Sequence, residues 1–99
     1  MTTVELIKSA VPYGRENAIR RCDLAHKLGL PDRSMRKAIE DARNEGLLIV
    51  NTGSGEGYYQ TDDPDELLAQ YKLDTARAMA VLKRRKAVRR RLAELGITP

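Results

Sequence analysis

The segment RSMRKAIEDARNEG, residues 33–46, constrains the fold more than any other stretch of the chain. Met35, Ile39 and Ala42 recur at i, i+4 and i+7, the spacing of one buried stripe on an amphipathic helix, and Gly46 stands where a left-handed C-terminal cap is wanted. A stripe also fixes the opposite face. At about 100° per residue, Arg33, Lys37, Glu40 and Asn44 point away from the core, with Ser34, Arg36 and Arg43 on the flanks. A helix this polar is stable only when other elements cover its narrow apolar side.

The neighbouring segments supply that cover. CDLAHKLG places Leu24, Ala25 and Leu28 at helical spacing and ends on Gly29, so a helix of about two turns precedes the first, joined to it by the turn GLPD. Further back, Thr2 and Glu5 have capping-box spacing, and Val4, Ile7 and Val11 line one face of an N-terminal helix that Pro12, Tyr13 and Gly14 stop. Ala18 and Ile19 suit a small strand. On the C-terminal side, LLIVN and YYQT flank NTGSGEGYY. A dinucleotide loop would need G-x-G-x-x-G between a strand and a helix, but Tyr58 occupies the third glycine position and no G-K-[ST] follows. Two strand-forming runs around Gly53, Gly55 and Gly57 predict a hairpin instead.

Two helices joined by a short turn, the second basic on its outer face and followed directly by a hairpin, form the layout of a winged helix-turn-helix. The run LAHKLGLPDRSMRKAIEDARNEGLLIV followed by GYY resembles the winged-helix domains of biotin-repressor type, over roughly residues 3–62. The wider arrangement, with YGRENAIRR before the helix pair and a long charged helix after the wing, is similar to small winged-helix proteins of phages and bacterial integrative elements. The resemblance implies that Tyr58 packs inward while Tyr59 faces out. Gln60 departs from the family, which commonly has an apolar residue there, and this predicts a thin wing core.

Residues 1–62 thus read as a winged helix-turn-helix domain, mainly α with a small β-hairpin. Residues 63–99 read as a helical extension. Asp63 is a cap, Pro64 suits the first helical position, and Glu66 completes a D-x-x-E spacing. A single helix over 64–95 would be roughly 48 Å long, more than a domain of about 60 residues covers, although a break at Leu73–Thr75 with Asp74 as a second cap is an alternative. Leu68, Tyr71, Thr75, Ala78 and Leu82 form a short coiled-coil seam that ends at Arg85 and Arg89, which predicts a homodimer.

Charge is unevenly distributed. Lys and Arg balance Asp and Glu over residues 1–62, acids exceed bases by two over 63–82, and bases exceed acids by six over 83–99, giving the net +4. The tail residues Lys83, Arg84, Arg85, Lys86, Arg89, Arg90 and Arg91 suit a phosphate-neutralising arm or an acidic protein partner. The apolar strip Val88, Leu92 and Leu95 lacks the aromatic bulk of membrane anchors. A single Cys22 and the absence of any run of about 18 apolar residues point to a cytoplasmic protein that neither spans nor binds membranes.

The function expected from these residues is sequence-specific binding of double-stranded DNA, as a transcriptional regulator or replication-associated protein of a phage or mobile element. Arg33, Ser34, Arg36 and Lys37 would reach base edges from the first two turns of the recognition helix. Arg20, Arg21, Arg43 and Tyr59 would contact phosphate. Arg20 and Arg21 oppose the dipole of the helix that follows them, which favours an anionic neighbour. The competing reading is a protein-binding module whose basic C-terminal helix docks an acidic partner. Cys22, expected as a small filler, and the exposed His26 lack an orienting third group, and no acidic cluster has Mg²⁺ spacing, so neither an enzyme nor a cofactor is expected.

Overall fold

The computed structural model describes residues 2–51 and 57–99, in which the elements run α1 (Thr3–Ala10), a 3₁₀ turn (Arg15–Asn17), α2 (Arg21–Leu28), α3 (Asp32–Asn44), β1 (Ile49–Val50), β2 (Tyr59–Gln60) and α4 (Pro64–Glu94). The expected turn around Gly53, Gly55 and Glu56 lies outside the described residues. The molecule is mainly helical, with one small antiparallel hairpin and a long C-terminal helix.

Both α1 and α2 pack on α3. The predicted stripe is the centre of the core: Met35, Ile39 and Ala42 are buried together with Ile7, Ala10 and Val11 of the first helix segment and Leu24 of α2. Local chemistry sets the boundaries. The Glu5 N–H donates to Thr2 Oγ1 at 3.1 Å and the Thr2 N–H donates to Glu5 Oε2 at 3.3 Å, a reciprocal cap at the start of α1. Gly29 ends α2 with φ +65°, a conformation that costs a residue with a Cβ about 1 kcal/mol or more.

The segment Tyr58–Thr61 ties the remaining elements together. Val50 pairs with Tyr59 and Ile49 with Gln60 in the antiparallel hairpin. On the other edge, Tyr58 exchanges two backbone hydrogen bonds with Ile19, at 2.8 and 2.9 Å, so an isolated bridge at Ile19 stands where a small strand over Ala18 and Ile19 was expected. Gly57, at φ +104°, makes this approach possible, because a Cβ there would lie 2.1 Å from the Ile19 carbonyl oxygen.

Gln60 overturns the expectation of a thin core. It is 2% exposed, and its side-chain amide donates to the Val11 carbonyl at 2.7 Å and the Lys8 carbonyl at 3.0 Å. Its own N–H donates to the Pro12 carbonyl at 2.8 Å. Lys27 Nζ donates to the Ala10 carbonyl at 3.0 Å. The carbonyls that a helix end leaves without intrahelical partners are therefore met by residues distant in sequence, and an apolar side chain at position 60 would leave those of Lys8 and Val11 unmet.

Tyr59 also departs from expectation. It is buried like Tyr58, because α4 covers the side of the hairpin that was expected to face solvent, and its hydroxyl donates to Glu66 in the first turn of that helix. Glu66 accepts from Thr61 Oγ1 as well, at 2.8 Å, instead of closing a capping box. The Asp63 N–H is satisfied by Thr61 Oγ1 at 3.0 Å, while Asp63 caps α4 through the Glu66 N–H at 3.1 Å. One turn later, buried Gln70 accepts from the Asn51 N–H at 2.8 Å and donates to Asp74 at 3.0 Å.

Beyond this anchor α4 continues without the break considered at Leu73–Thr75. Its 31 residues span about 46 Å, and almost every residue after Asp74 is exposed. The radius of gyration is 16.9 Å, against about 13 Å for a compact chain of this length, and the projecting helix accounts for the excess. Among the described residues no helix is long and apolar enough to cross a membrane.

Replacing Gln60 by Leu keeps the volume but strands two carbonyls at the end of α1. Unfolding by urea should show a loss of about 2–6 kcal/mol with an unchanged denaturant slope.

Candidate nucleic-acid interface

The outer side of α3 presents a crest and two flanks. Arg33 and Lys37 are exposed on the crest, and Arg33 makes no ion pair among the described residues. Lys37 approaches Asp41 at 3.9 Å with 76% of its side chain exposed. Ser34 is exposed about 200° around the helix from Arg36, on the opposite flank beside Asp41 and away from the cleft.

The other flank borders a cleft of about 870 Å³. Arg36, Glu40 and Arg43 of α3 line it, with Arg20, Arg21 and Cys22 at the start of α2, Asn51, Gly57 and Tyr58 at the base of the hairpin, and Arg77 of α4. Four residues expected to meet nucleic acid are thus brought together by the fold: Arg20, Arg21, Arg36 and Arg43. Asp32 reaches two of them, Arg21 Nε at 3.1 Å and Arg36 Nη1 at 3.7 Å. These are exposed pairs worth about 0–1 kcal/mol each, so both side chains can be drawn to a stronger anion.

Arg43 is not the exposed flank residue that its spacing implied. It is half-buried, its Nε donates to the Ile49 carbonyl at 3.0 Å, and its guanidinium carbon lies 5.8 Å from the centre of the Tyr58 ring. Nη2 is buried without a partner among the described residues. Burial pushes the guanidinium below its ordinary pKa, Asp74 and Tyr58 pull it back up, and Arg77 lowers it further. An arginine pKa lies so high that the group stays charged at neutral pH.

Tyr59 is removed from the surface altogether, being 1% exposed, and is no phosphate contact. Arg77 was missed. It follows the buried Gln70 by seven residues, two helical turns, and so lies on the side of α4 that faces the domain. That relation becomes visible only once Gln70 is known to be the anchor.

Further along α4, Lys83, Arg84, Arg85, Lys86, Arg89, Arg90 and Arg91 are all exposed. Arg91 pairs with Glu94 at 3.0 Å. Leu68, Tyr71, Ala78 and Leu82 are exposed too, turned away from the side that carries Gln70, and Met79 joins them at 60% exposure. Cys22 is exposed at the cleft and is no core filler. Among the described residues no group of three or more His, Cys, Asp and Glu side chains is placed to hold a metal ion.

Comparisons with family models, curated proteins and solved structures return no match to this chain.

The fork geometry of Arg43 yields a prediction. Arg43→Lys keeps the charge but loses the Nε–H donated to Ile49, and should cost about 1–2 kcal/mol of stability in chemical unfolding.

Proposed function

We propose that the chain is a winged helix-turn-helix protein that binds double-stranded DNA, with α3 as its recognition helix. The observation that carries this reading is the placement of the cationic crest of α3, Arg33 and Lys37, directly beside a cleft lined by five arginines. An α-helix enters the major groove, about 12 Å wide, and arginine pairs with both acceptors on the guanine edge. The exposed first turns of α3 carry Arg33, Arg36 and Lys37, whereas Glu40 and Asp41 confine contact to that end.

Arg20 and Arg21 are suited to the phosphate backbone, which positions a protein on a duplex without reading its sequence. The basic half of α4 adds affinity of the same kind. This reading also places the protein in the cytoplasm of a cell carrying its target site, as a regulator or as a replication-associated factor of a mobile element. It requires no cofactor and no catalytic step.

The unpartnered face of α4 supports self-association. Leu68, Tyr71, Met79 and Leu82 are 47–69% exposed along one side of a helix that the domain holds only by its first turns. Two copies pairing there would give two recognition helices at a fixed spacing. A protein-binding role is favoured by one fact: residues 1–62 carry no net charge. The two readings part on duplex affinity.

Arg33→Ala combined with Lys37→Ala should weaken binding to a selected duplex by about tenfold or more while leaving the melting temperature unchanged, as followed by fluorescence anisotropy. Unchanged affinity would remove α3 from the interface. In sedimentation, the chain should be dimeric at tens of micromolar, and Tyr71→Glu with Leu82→Glu should make it monomeric. A monomeric parent chain would exclude the α4 seam.

A further inference from the structure

We propose that the cleft between α2, α3 and α4 is an oxyanion site that takes phosphate groups, with Arg77 of α4 as an essential member. The proposal rests on the duplex-binding reading for the source of the phosphate, though not for the chemistry of the site.

Charge density is the first argument. Five arginines line the cleft, and Glu40 is the one acid among its described lining residues. Asp32 approaches Arg21 and Arg36 from outside, and Asp74, which acts on Arg43, is held by the Gln70 amide. Guanidinium groups gathered in a concavity repel one another, and a doubly charged anion with several acceptor oxygens relieves that repulsion. Planar N–H forks match phosphate oxygens in pairs, which ammonium groups do not.

Hydrogen-bonding capacity is the second. The N-cap of α2 is Arg20, which supplies no side-chain hydrogen bond to the helix, so the first N–H groups of α2 are left to solvent or ligand beside Arg20, Arg21 and Cys22 of the cleft. Arg43 is already immobilised by Ile49 and lies near the Tyr58 ring, so its guanidinium is a fixed positive charge in the wall of the cleft. Little ordering of that side chain remains to be done on binding.

The third argument concerns shape. Arg84 follows Arg77 by two turns on the same side of α4, about 10.5 Å further from the cleft. The cleft therefore opens onto a cationic track along α4 instead of closing around one small molecule, as a chain of phosphodiesters requires. Nucleic-acid backbone and a free phosphate ester share the chemistry and differ in whether they use this track.

The experiment uses the full chain, with pyrophosphate and a short mixed-sequence duplex as probes. NMR follows the Arg43 Nε–H and the Cys22 and Arg77 amides, and anisotropy follows the duplex. Arg77→Ala is compared with Lys72→Ala, an equal loss of charge on exposed α4 outside the cleft. Pyrophosphate should shift the cleft resonances, and Arg77→Ala should weaken duplex binding by about tenfold where Lys72→Ala changes it less than about twofold.

If Arg77→Ala abolishes the pyrophosphate shifts but leaves duplex affinity intact, the site stands and its ligand is a free phosphate ester. If pyrophosphate at millimolar concentration shifts nothing in the cleft and the two variants bind duplex alike, the site is refuted. Loss of duplex binding in Arg33→Ala with Lys37→Ala would still leave the duplex reading standing in that case. Conversely, duplex affinity indifferent to α3, with cleft shifts that Arg77→Ala abolishes, would refute the duplex reading and keep the site.

Discussion

The Gln60 side-chain amide is the interaction on which the arrangement of this molecule depends. One buried NH₂ group donates to the carbonyls of Lys8 and Val11 and so fastens the end of α1 to β2, fifty residues away in sequence. A buried carbonyl without a partner costs about 1–3 kcal/mol, so two of them are a large fraction of the stability of a domain this small. Around this link, Tyr58 holds Ile19 on one edge, Ile49 and Val50 pair on the other, and Tyr59 and Thr61 hold the start of α4 through Glu66. Four consecutive residues thereby position every element except α2 and α3, which the apolar core places.

That hub also creates the cleft. Gln70, bonded to the Asn51 N–H, sets the direction in which α4 leaves the hairpin, and this direction carries Arg77 to the place where α2 begins and α3 turns its arginine flank. Gly57 matters for the same reason, since a side chain there would drive Ile19, and the α2 start that follows it, away from Tyr58. The electrostatic surface is thus a consequence of backbone packing. Arginines far apart in sequence converge because a glycine and two buried glutamines hold their elements at short range.

Local periodicity made much of this legible. The Met35, Ile39 and Ala42 stripe, the Thr2 cap and Gly29 as a helix end depend on neighbours within a few residues, and each is present in the structure. The misread residues owe their roles to distant partners. The family resemblance placed Tyr59 outside because it implies a hairpin with one wet face, whereas α4 dries that face. Gln60 looked like a flaw by the same logic, since nothing near it in sequence announces the free carbonyls of α1. For the candidate site, Arg20, Arg21 and Arg36 were legible as exposed cations, Arg43 was not recognisable as half-buried, and Arg77 was overlooked because its partners come from three other elements.

The central claim is that one continuous surface, formed by the start of α2, the outer side of α3 and the cleft-facing side of α4, receives duplex DNA. The most direct measurement is amide chemical-shift mapping of the full chain on addition of a mixed-sequence duplex. The account predicts that the perturbed amides cluster at residues 20–22, 33–37 and 77–91, with those of α1 unmoved. Shifts absent from the α2 start and α3, or confined to the apolar face around Leu68 and Tyr71, would contradict it.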